Sequence, residues 1–435
     1  HVPELMENVL DSQLALNDMK GAQITADLII KRVPPSPQPL YEKAWMVLAN
    51  AQFDEGNYQA AETSITKILG FASLSGAERK IYKDRHATAI YKQAELLEKE
   101  GMKAEAAKQY QKVASAEPES DVRAKADYDA ANLLMETQQY GEAVKVLENF
   151  RRVFPNHELA KSVPAKLSIA YEKMGNVDGS ARELEQVATL NHDNSELASQ
   201  ALTQAAEMQE KKGNRKEAIR LYSQLEAQKN LQAPQRIELQ YKLSKLNEAD
   251  GNNTQRDAWL GKVLATYQGA GSQNTNRTRL LAAEASFHNA EPLYQQYTAI
   301  RLTQPLANSI KQKKAAMNTV LNAYAATAEI GVLQYTTAAT YRLGEAYHNF
   351  AKSILESERP QGMAEDALEE YQLLLEDQAN PMQDKAIEIL QANTNRVKDG
   401  AWDEWIQKSY NSLGELQPGR YKKPELGEDY VDAIY

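Results

Sequence analysis

The residues best suited to acid–base or metal chemistry are scattered along this sequence of 435 residues rather than grouped. Its six histidines are His1, His86, His157, His192, His288 and His348. No two of them have the spacing that places two zinc ligands on one helix face, so the sequence predicts no metalloprotease-type site. The absence of cysteine also removes disulfides, thiolate zinc sites and a cysteine nucleophile.

Other catalytic patterns are missing as well. The polar run 191–195 (Asn-His-Asp-Asn-Ser) lacks the order of acids found in an EF-hand, and we interpret it as a turn between helices. No glycine-rich phosphate loop or nucleophile elbow occurs. We therefore predict a protein that is not an enzyme and has no cofactor. The alternative is an enzyme with a site in its C-terminal part, around His288, Glu291, Tyr294 and Tyr297.

Helical hairpins are the elements that position these residues. Residues 124–155 contain two segments with helical periodicity, joined by a short turn near Gln138 and ended by Pro155. The second segment carries its apolar stripe at Ala143, Leu147, Phe150 and Phe154. Each helix has one apolar face, and a single hairpin cannot bury such a face alone. Neighbouring hairpins are therefore expected.

The same hairpin recurs along the chain. A small residue of the first helix falls at Ala49, Ala94, Ala131, Ser168, Ala206 and Ser244, in steps of 45, 37, 37, 38 and 38 residues. The turn follows seven residues later in every copy, at Gly56, Gly101, Gln138, Gly175, Gly213 and Gly251. Two features that keep the same period indicate stacked helical hairpins, each covering the apolar face of its neighbour.

These copies resemble the tetratricopeptide repeat family. The resemblance rests on the small first-helix residue, on turns such as Gly56-Asn57-Tyr58, and on the early second-helix alanines Ala61, Ala106, Ala143 and Ala218. It covers roughly residues 40 to 266. It implies an all-α fold, a right-handed superhelical solenoid of tetratricopeptide-like hairpins. The repeat is lost after this region, where the residue pattern predicts an irregular helical C-terminal domain.

We expect four segments. Residues 1–38 form a degenerate N-terminal hairpin that caps the solenoid, and residues 39–266 form about six repeats, with a polar loop inserted at 70–80. Residues 276–416 form the helical C-terminal domain with one further hairpin, and residues 417–435 form an extended tail.

Within the C-terminal domain we expect long helices at 278–301 and 306–335, and another at 381–398. The second helix of its hairpin should bury Ala367, Tyr371 and Leu374. We interpret the lysine cluster at 311–314 as a solvated helix end, and the alternative is a specific anion site.

A solenoid of this family offers a concave surface lined by its first helices. The repeat register predicts that the partner-binding residues there are Asn50, Tyr91, Tyr128, Asn132, Tyr241 and Lys245. Tyrosine suits a binding surface, since it combines contact area with one hydrogen-bonding end. The alternative is that these tyrosines pack between adjacent hairpins.

Members of the family that bind C-terminal carboxylates place asparagine where Asn50 and Asn132 stand. The lysine that accompanies it is replaced here by Met46 and Tyr128. Chaperone C-terminal tails are therefore not the expected partners. With a net charge of −10, nucleic acid is not expected either. The sequence predicts binding to peptide segments or helices of other proteins, and it has no apolar run long enough to span a bilayer.

The C-terminal third carries a second resemblance. The runs 371–381, 400–405 and 416–421 are similar to the ends of tetratricopeptide proteins associated with TonB/ExbB/ExbD-type systems and of gliding-motility lipoproteins. The resemblance implies an accessory scaffold of a bacterial envelope machine, in the periplasm or anchored to the outer membrane. The chain starts at His1 without methionine, so we expect a processed or truncated form, from which any signal peptide or lipidated N-terminal cysteine would have been removed. The alternatives are a cytoplasmic location and a structural subunit that self-assembles through its solenoid ends.

Overall fold

The computed structural model describes residues 1–422, and this part of the chain consists of helices and connecting turns without a strand. It divides into two compact units, His1–Asn214 and Arg215–Tyr435, which we call unit 1 and unit 2. The predicted all-α class of stacked hairpins is confirmed. The limits that we placed at residues 266 and 276 remain a prediction.

Unit 1 is a linear stack of helices. Each helix packs chiefly on the helices before and after it in sequence, as expected for a solenoid. The first two helices of the chain pack on each other. The helices are α1 (Val2–Ala15), α2 (Met19–Lys31), α3 (Gln38–Asp54), α4 (Tyr58–Leu69), α5 (Gly76–Lys99), α6 (Lys103–Ala116), α7 (Arg123–Glu136), α8 (Tyr140–Val153), α9 (Val163–Lys173), α10 (Val177–Leu190) and α11 (Ser195–Lys212).

The recurring Gly-Asn pair ends one helix and begins the next. Gly56 and Gly175 adopt positive φ of 80° and 74°, which ends a helix at little cost for glycine. The following Asn57 and Asn176 cap the next helix, since each side-chain oxygen accepts a hydrogen bond from a backbone N–H three residues on. Gln138 takes the same conformation, with φ of 60°, where a side chain makes it costlier.

The insertion after α4 is shorter and more apolar than the predicted loop at 70–80. Helix α5 already begins at Gly76, and Ser75 with Glu78 forms a capping box at its start. Phe71 and Leu74 are buried, 7% and 8% exposed. Only residues 70–75 connect the helices, because the apolar side chains hold this segment against the core.

Unit 2 also alternates first and second helices, with longer members. Besides sequence neighbours, the first helices contact one another in series: α13 with α15, α15 with α17, and α17 with α19. The helices are α12 (Arg215–Glu226), α13 (Ala233–Ala249), α14 (Asn253–Ala270), α15 (Asn276–Ala299), α16 (Leu306–Glu329), α17 (Leu333–Leu355), α18 (Glu365–Asn395), α19 (Glu404–Leu416) and α20 (Pro418–Tyr421). Stacking of hairpins thus continues beyond residue 276, where the sequence repeat is lost.

Several predicted helix limits in unit 2 were wrong. The helix expected at 306–335 is two helices, separated at Gly331, whose φ is 78°. The helix expected to start at Pro381 is part of α18, which contains this proline. Packing on α17 compensates for the lost backbone hydrogen bond, since Ala379 and Ala386 on either side are both fully buried.

The apolar stripe of α18 was also misplaced. Leu374, predicted to be buried, is 58% exposed, while Leu375 is 4% exposed. At the end of the described chain, Pro418–Tyr421 forms one helical turn rather than the start of an extended tail. The rest of the predicted tail, residues 423–435, lies outside the described residues.

Lys313 on α16 departs most clearly from the solvated lysine cluster that we expected. Its side chain is fully buried, 0% exposed. The ammonium lies 4.7 Å from the ring centre of Tyr297 and donates to the carbonyl oxygens of Ile300 (2.8 Å) and Tyr297 (3.3 Å). No carboxylate pairs with it among residues 1–422. Burial lowers the pKa of Lys313 from 10.5 to about 8.

The free energy of unfolding should therefore include a contribution from Lys313 that rises from about pH 8 toward pH 10. In this window the unfolded chain binds more protons than the folded chain, because the unfolded lysine keeps the pKa of 10.5. Lys313→Met should lose this rise, as measured by urea unfolding across the window. The control is Lys314→Met, which removes an exposed neighbour and should leave the pH profile unchanged. Parallel profiles for wild type and Lys313→Met would contradict the assignment.

Candidate functional site

Two neighbouring cavities lie along the first helices α5, α7 and α9 of unit 1. Their volumes are about 550 and about 420 Å³. Glu98 of α5 and Asp129 of α7 line both cavities, so the two form one continuous depression. We call it the first-helix groove and define it by Tyr91, Glu98, Lys125, Asp129, Asn132 and Ile169.

Two carboxylates stand at the centre of this groove. The hydroxyl of Tyr91 donates to Asp129 Oδ2 (2.6 Å), and the hydroxyl of Tyr110 donates to Glu98 Oε2 (3.0 Å). Burial, followed by the hydrogen bond to each carboxylate, raises the pKa of both phenols above the usual range, which keeps them protonated as donors. Neither Glu98 nor Asp129 forms an ion pair within the described part of the chain. Both residues line the groove, so each brings a negative charge to it.

Two of the positive charges of the groove come from the hairpins that follow α5. Lys125 on α7 lies over the ring of Tyr91, at 4.9 Å from its centre. Lys166 on α9 lies over the ring of Tyr128, at 5.1 Å. Such stacking orients the ammonium groups without neutralising them. The groove therefore offers charges of both signs at fixed positions.

Three of the predicted binding residues meet in this region. Tyr91 is only 5% exposed and holds α5 against α7 through Asp129. Tyr128 is partly buried and hydrogen-bonds to Ser162 Oγ (2.7 Å). Asn132 lines the groove, and its Oδ1 is buried without a partner among the described residues. Of the three, only Asn132 has an acceptor atom whose hydrogen-bonding capacity is unused beside the groove.

The other predicted residues lie elsewhere. Asn50 accepts a hydrogen bond from Arg85 of α5. In unit 2, the Tyr241 hydroxyl donates to Glu284 Oε1 (2.7 Å), and Lys245 pairs with the same carboxylate (3.2 Å). Tyr91, Tyr128 and Tyr241 all reach the following hairpin, the alternative that we left open for the tyrosines. Direct contact of these residues with a partner remains a prediction.

The sequence analysis did not identify the hydrogen-bond partners of these tyrosines. Asp129 follows Tyr91 by 38 residues and Ser162 follows Tyr128 by 34, which is about one repeat in each case. A search for polar residues one repeat beyond each tyrosine would have found them. Glu98 carries no comparable signal, because its partner Tyr110 lies within the same hairpin.

The residues of the enzyme alternative already have partners. Glu291 accepts two hydrogen bonds from Arg342, at 2.8 and 2.7 Å. The Arg342 guanidinium also lies 4.7 Å from the ring centre of Tyr294. Tyr297 is buried and donates to the carbonyl oxygen of Ala346 (2.7 Å), while His288 lies 3.6 Å from Asp257. These contacts tie neighbouring helices together, which is a packing role.

The loop at 191–195 behaves as the predicted turn. Asn194 caps α11 by accepting a hydrogen bond from the backbone N–H of Leu197 (3.2 Å). Within residues 1–422 no group of three metal-ligating side chains comes together. Over the same residues, no helix combines the length and hydropathy needed to cross a bilayer.

Comparison with known proteins supports the repeat assignment for one hairpin. Residues 88–120, which run from α5 through α6, match the tetratricopeptide repeat family model. No curated protein has a significantly similar sequence.

Three solved structures of repeat proteins show some likeness to this chain. Nearly identical tetratricopeptide-like repeats from Podosopora anserina are 22% identical over 45% of this chain and 99% of theirs, with a TM-score of 0.27. A tetratricopeptide repeat protein from Parabacteroides merdae is 16% identical over 65% and 98%, with a TM-score of 0.25. The C-terminal part of a repeat protein from Cytophaga hutchinsonii is 14% identical over 62% and 96%, with a TM-score of 0.26. At these scores the likenesses carry no functional argument.

Tyr91→Phe should lower the free energy of unfolding by about 1–3 kcal/mol, because a buried hydrogen bond to a carboxylate is lost. Urea unfolding of the whole chain measures this change. Tyr140→Phe is the matched control, since the Tyr140 hydroxyl has no partner among the described residues. Equal stability of the two variants would mean that the Tyr91–Asp129 bond does not hold the hairpins together.

Proposed function

We propose that this chain is a non-catalytic scaffold that binds segments of other polypeptides in the first-helix groove. The match of residues 88–120 to the tetratricopeptide repeat model supports protein–protein interaction as the general role. The observation that carries the proposal is the continuity of the two cavities across α5, α7 and α9 through Glu98 and Asp129. Such a groove extends over successive hairpins, so it suits an elongated partner better than a compact small molecule.

The expected partner carries charges complementary to those of the groove. A basic side chain would pair with Glu98 or Asp129, and an acidic one with Lys166. The tyrosine contacts hold these groups in place before binding, so less side-chain entropy is lost when the partner binds. The net charge of −10 disfavours nucleic acid as the partner.

A photo-cross-linking residue at position 169 should capture a polypeptide in the cells that make this protein. Ile169 lines the groove and is 49% exposed. Position 190 provides the matched control, since Leu190 is equally exposed at 49% but lies at the end of α10, outside the groove. Asn132→Trp should fill the groove and abolish the adduct at position 169, with a melting temperature close to that of wild type. Equal adducts at both positions, or no adduct at position 169, would contradict the proposal that the groove binds the partner.

We further propose that the scaffold serves a bacterial envelope machine of the TonB-like or motility type, in the periplasm or anchored at the outer membrane. The support is the similarity of residues 371–381, 400–405 and 416–421 to the ends of proteins from such systems.

Fractionation of Gram-negative cells that carry the complete gene tests this location. The protein should resist added protease in intact cells and become digestible once the outer membrane alone is permeabilised. A cytoplasmic protein in the same cells is the control and should stay protected in both conditions. If the scaffold stays protected in both conditions, as the cytoplasmic control does, the envelope role is contradicted. The proposal that the groove binds polypeptides would not be affected.

A further inference from the structure

Unit 2 contains a cavity of about 640 Å³ on a different set of helices. Helices α14 and α16 form its walls and α15 forms its floor. We call it the second-helix groove; its apolar lining includes Leu264, Tyr267, Ala290, Leu293, Ala323 and Ile330.

This groove lies on the side of α15 away from the other first helices. Arg277 and Glu284 on α15 reach α13, through Glu238 (2.9 Å) and Tyr241 (2.7 Å). The groove residues Arg279 and Ser286 follow them by two positions each, which is about 200° around a helix. The floor of the groove is therefore the opposite face of α15.

In unit 1 two pairs of adjacent second helices, α4 with α6 and α8 with α10, are bridged across the corresponding space. Lys112 of α6 pairs with Glu62 of α4 (2.6 Å), and Arg151 of α8 pairs with Glu183 of α10 (3.0 Å). Between α14 and α16 no hydrogen bond or ion pair occurs in the described structure. The space between α14 and α16 therefore lacks the ion pairs that bridge α4 to α6 and α8 to α10, and most of the residues that line it are apolar.

The polar rim of the groove has unused charges. Arg279 near the start of α15 and Glu329 at the end of α16 both line it. Because α15 and α16 are consecutive and packed together, these two residues lie at the same end of the groove. Neither forms an ion pair within residues 1–422. The small side chains of Ala290 and Ala323 leave room inside for larger apolar groups.

We propose that the second-helix groove binds an amphipathic helix of a partner polypeptide. A slot with one helix on each side and a third as its floor accepts a further helix by the same packing that joins the hairpins. The apolar face of the ligand enters between α14 and α16, and its rim presents an acidic side chain to Arg279 and a basic one to Glu329. This site uses none of the residues of the first-helix groove and does not depend on the function proposed for it.

A displayed library of single amphipathic helices, selected on the whole chain, tests the proposal. Enriched peptides should be helical when bound and carry apolar residues at positions i, i+4 and i+7. Ala323→Trp should weaken their binding about tenfold or more by filling the groove. Ala315→Trp is the matched control, because Ala315 is exposed on α16 outside the groove.

A charge exchange gives a second, independent reading that does not require filling the groove. Arg279→Glu should weaken the enriched peptides, and replacing their conserved acid with lysine should restore binding to this variant but not to wild type. Peptides that bind Ala323→Trp as well as wild type, or that show no exchange with Arg279→Glu, would overturn the proposal. Loss of peptide binding in the Asn132→Trp variant would assign the peptides to the first-helix groove and would equally overturn the proposal.

Discussion

A helical hairpin with one apolar face exposes that face to water unless another hairpin covers it. The hairpin of α7 and α8 shows the consequence: Leu147 and Phe150 become fully buried only together with Val163 and Leu167 of the next one. At roughly 1.5–3 kcal/mol for each large apolar side chain, this burial outweighs any single polar contact in the unit. Repetition of the hairpin is thus a requirement of the hydrophobic effect, and the grooves are a by-product of it.

Polar contacts then determine how neighbouring hairpins are aligned. Apolar packing tolerates small shifts, whereas a hydrogen bond such as that between Tyr91 and Asp129 holds its atoms at 2.6 Å. Tyr128 with Ser162 and Tyr241 with Glu284 repeat the same arrangement along the chain. The tyrosines that we predicted to contact a partner are also the ones that keep these helices in place.

The two grooves differ in where their charged groups lie. In the first-helix groove, phenols and lysines surround two carboxylates that form no ion pair within residues 1–422, so charge should dominate recognition. In the second-helix groove the charges of Arg279 and Glu329 stand at one end of an apolar interior. Shape and hydrophobic burial should dominate there, with charge setting the orientation of the ligand.

The sequence by itself determined the repeated elements. The spacing of Ala131 and Gln138, and of their counterparts, predicted the hairpins, their turns and the α7–α8 core, because periodicity and turn chemistry are local properties. Tyr91, Tyr128 and Asn132 were assigned to the first-helix face by the same register.

Only the tertiary structure decided which side chains meet. Pro381 stays inside a helix and Leu375 replaces Leu374 in the core because packing on α17 outweighs local preference. Lys313 is buried because α16, which carries it, packs on α15 and places its ammonium over the ring of Tyr297. The Asp129 contact and the open space between α14 and α16 depend on residues about one repeat or more apart, and no local pattern reports whether such residues touch.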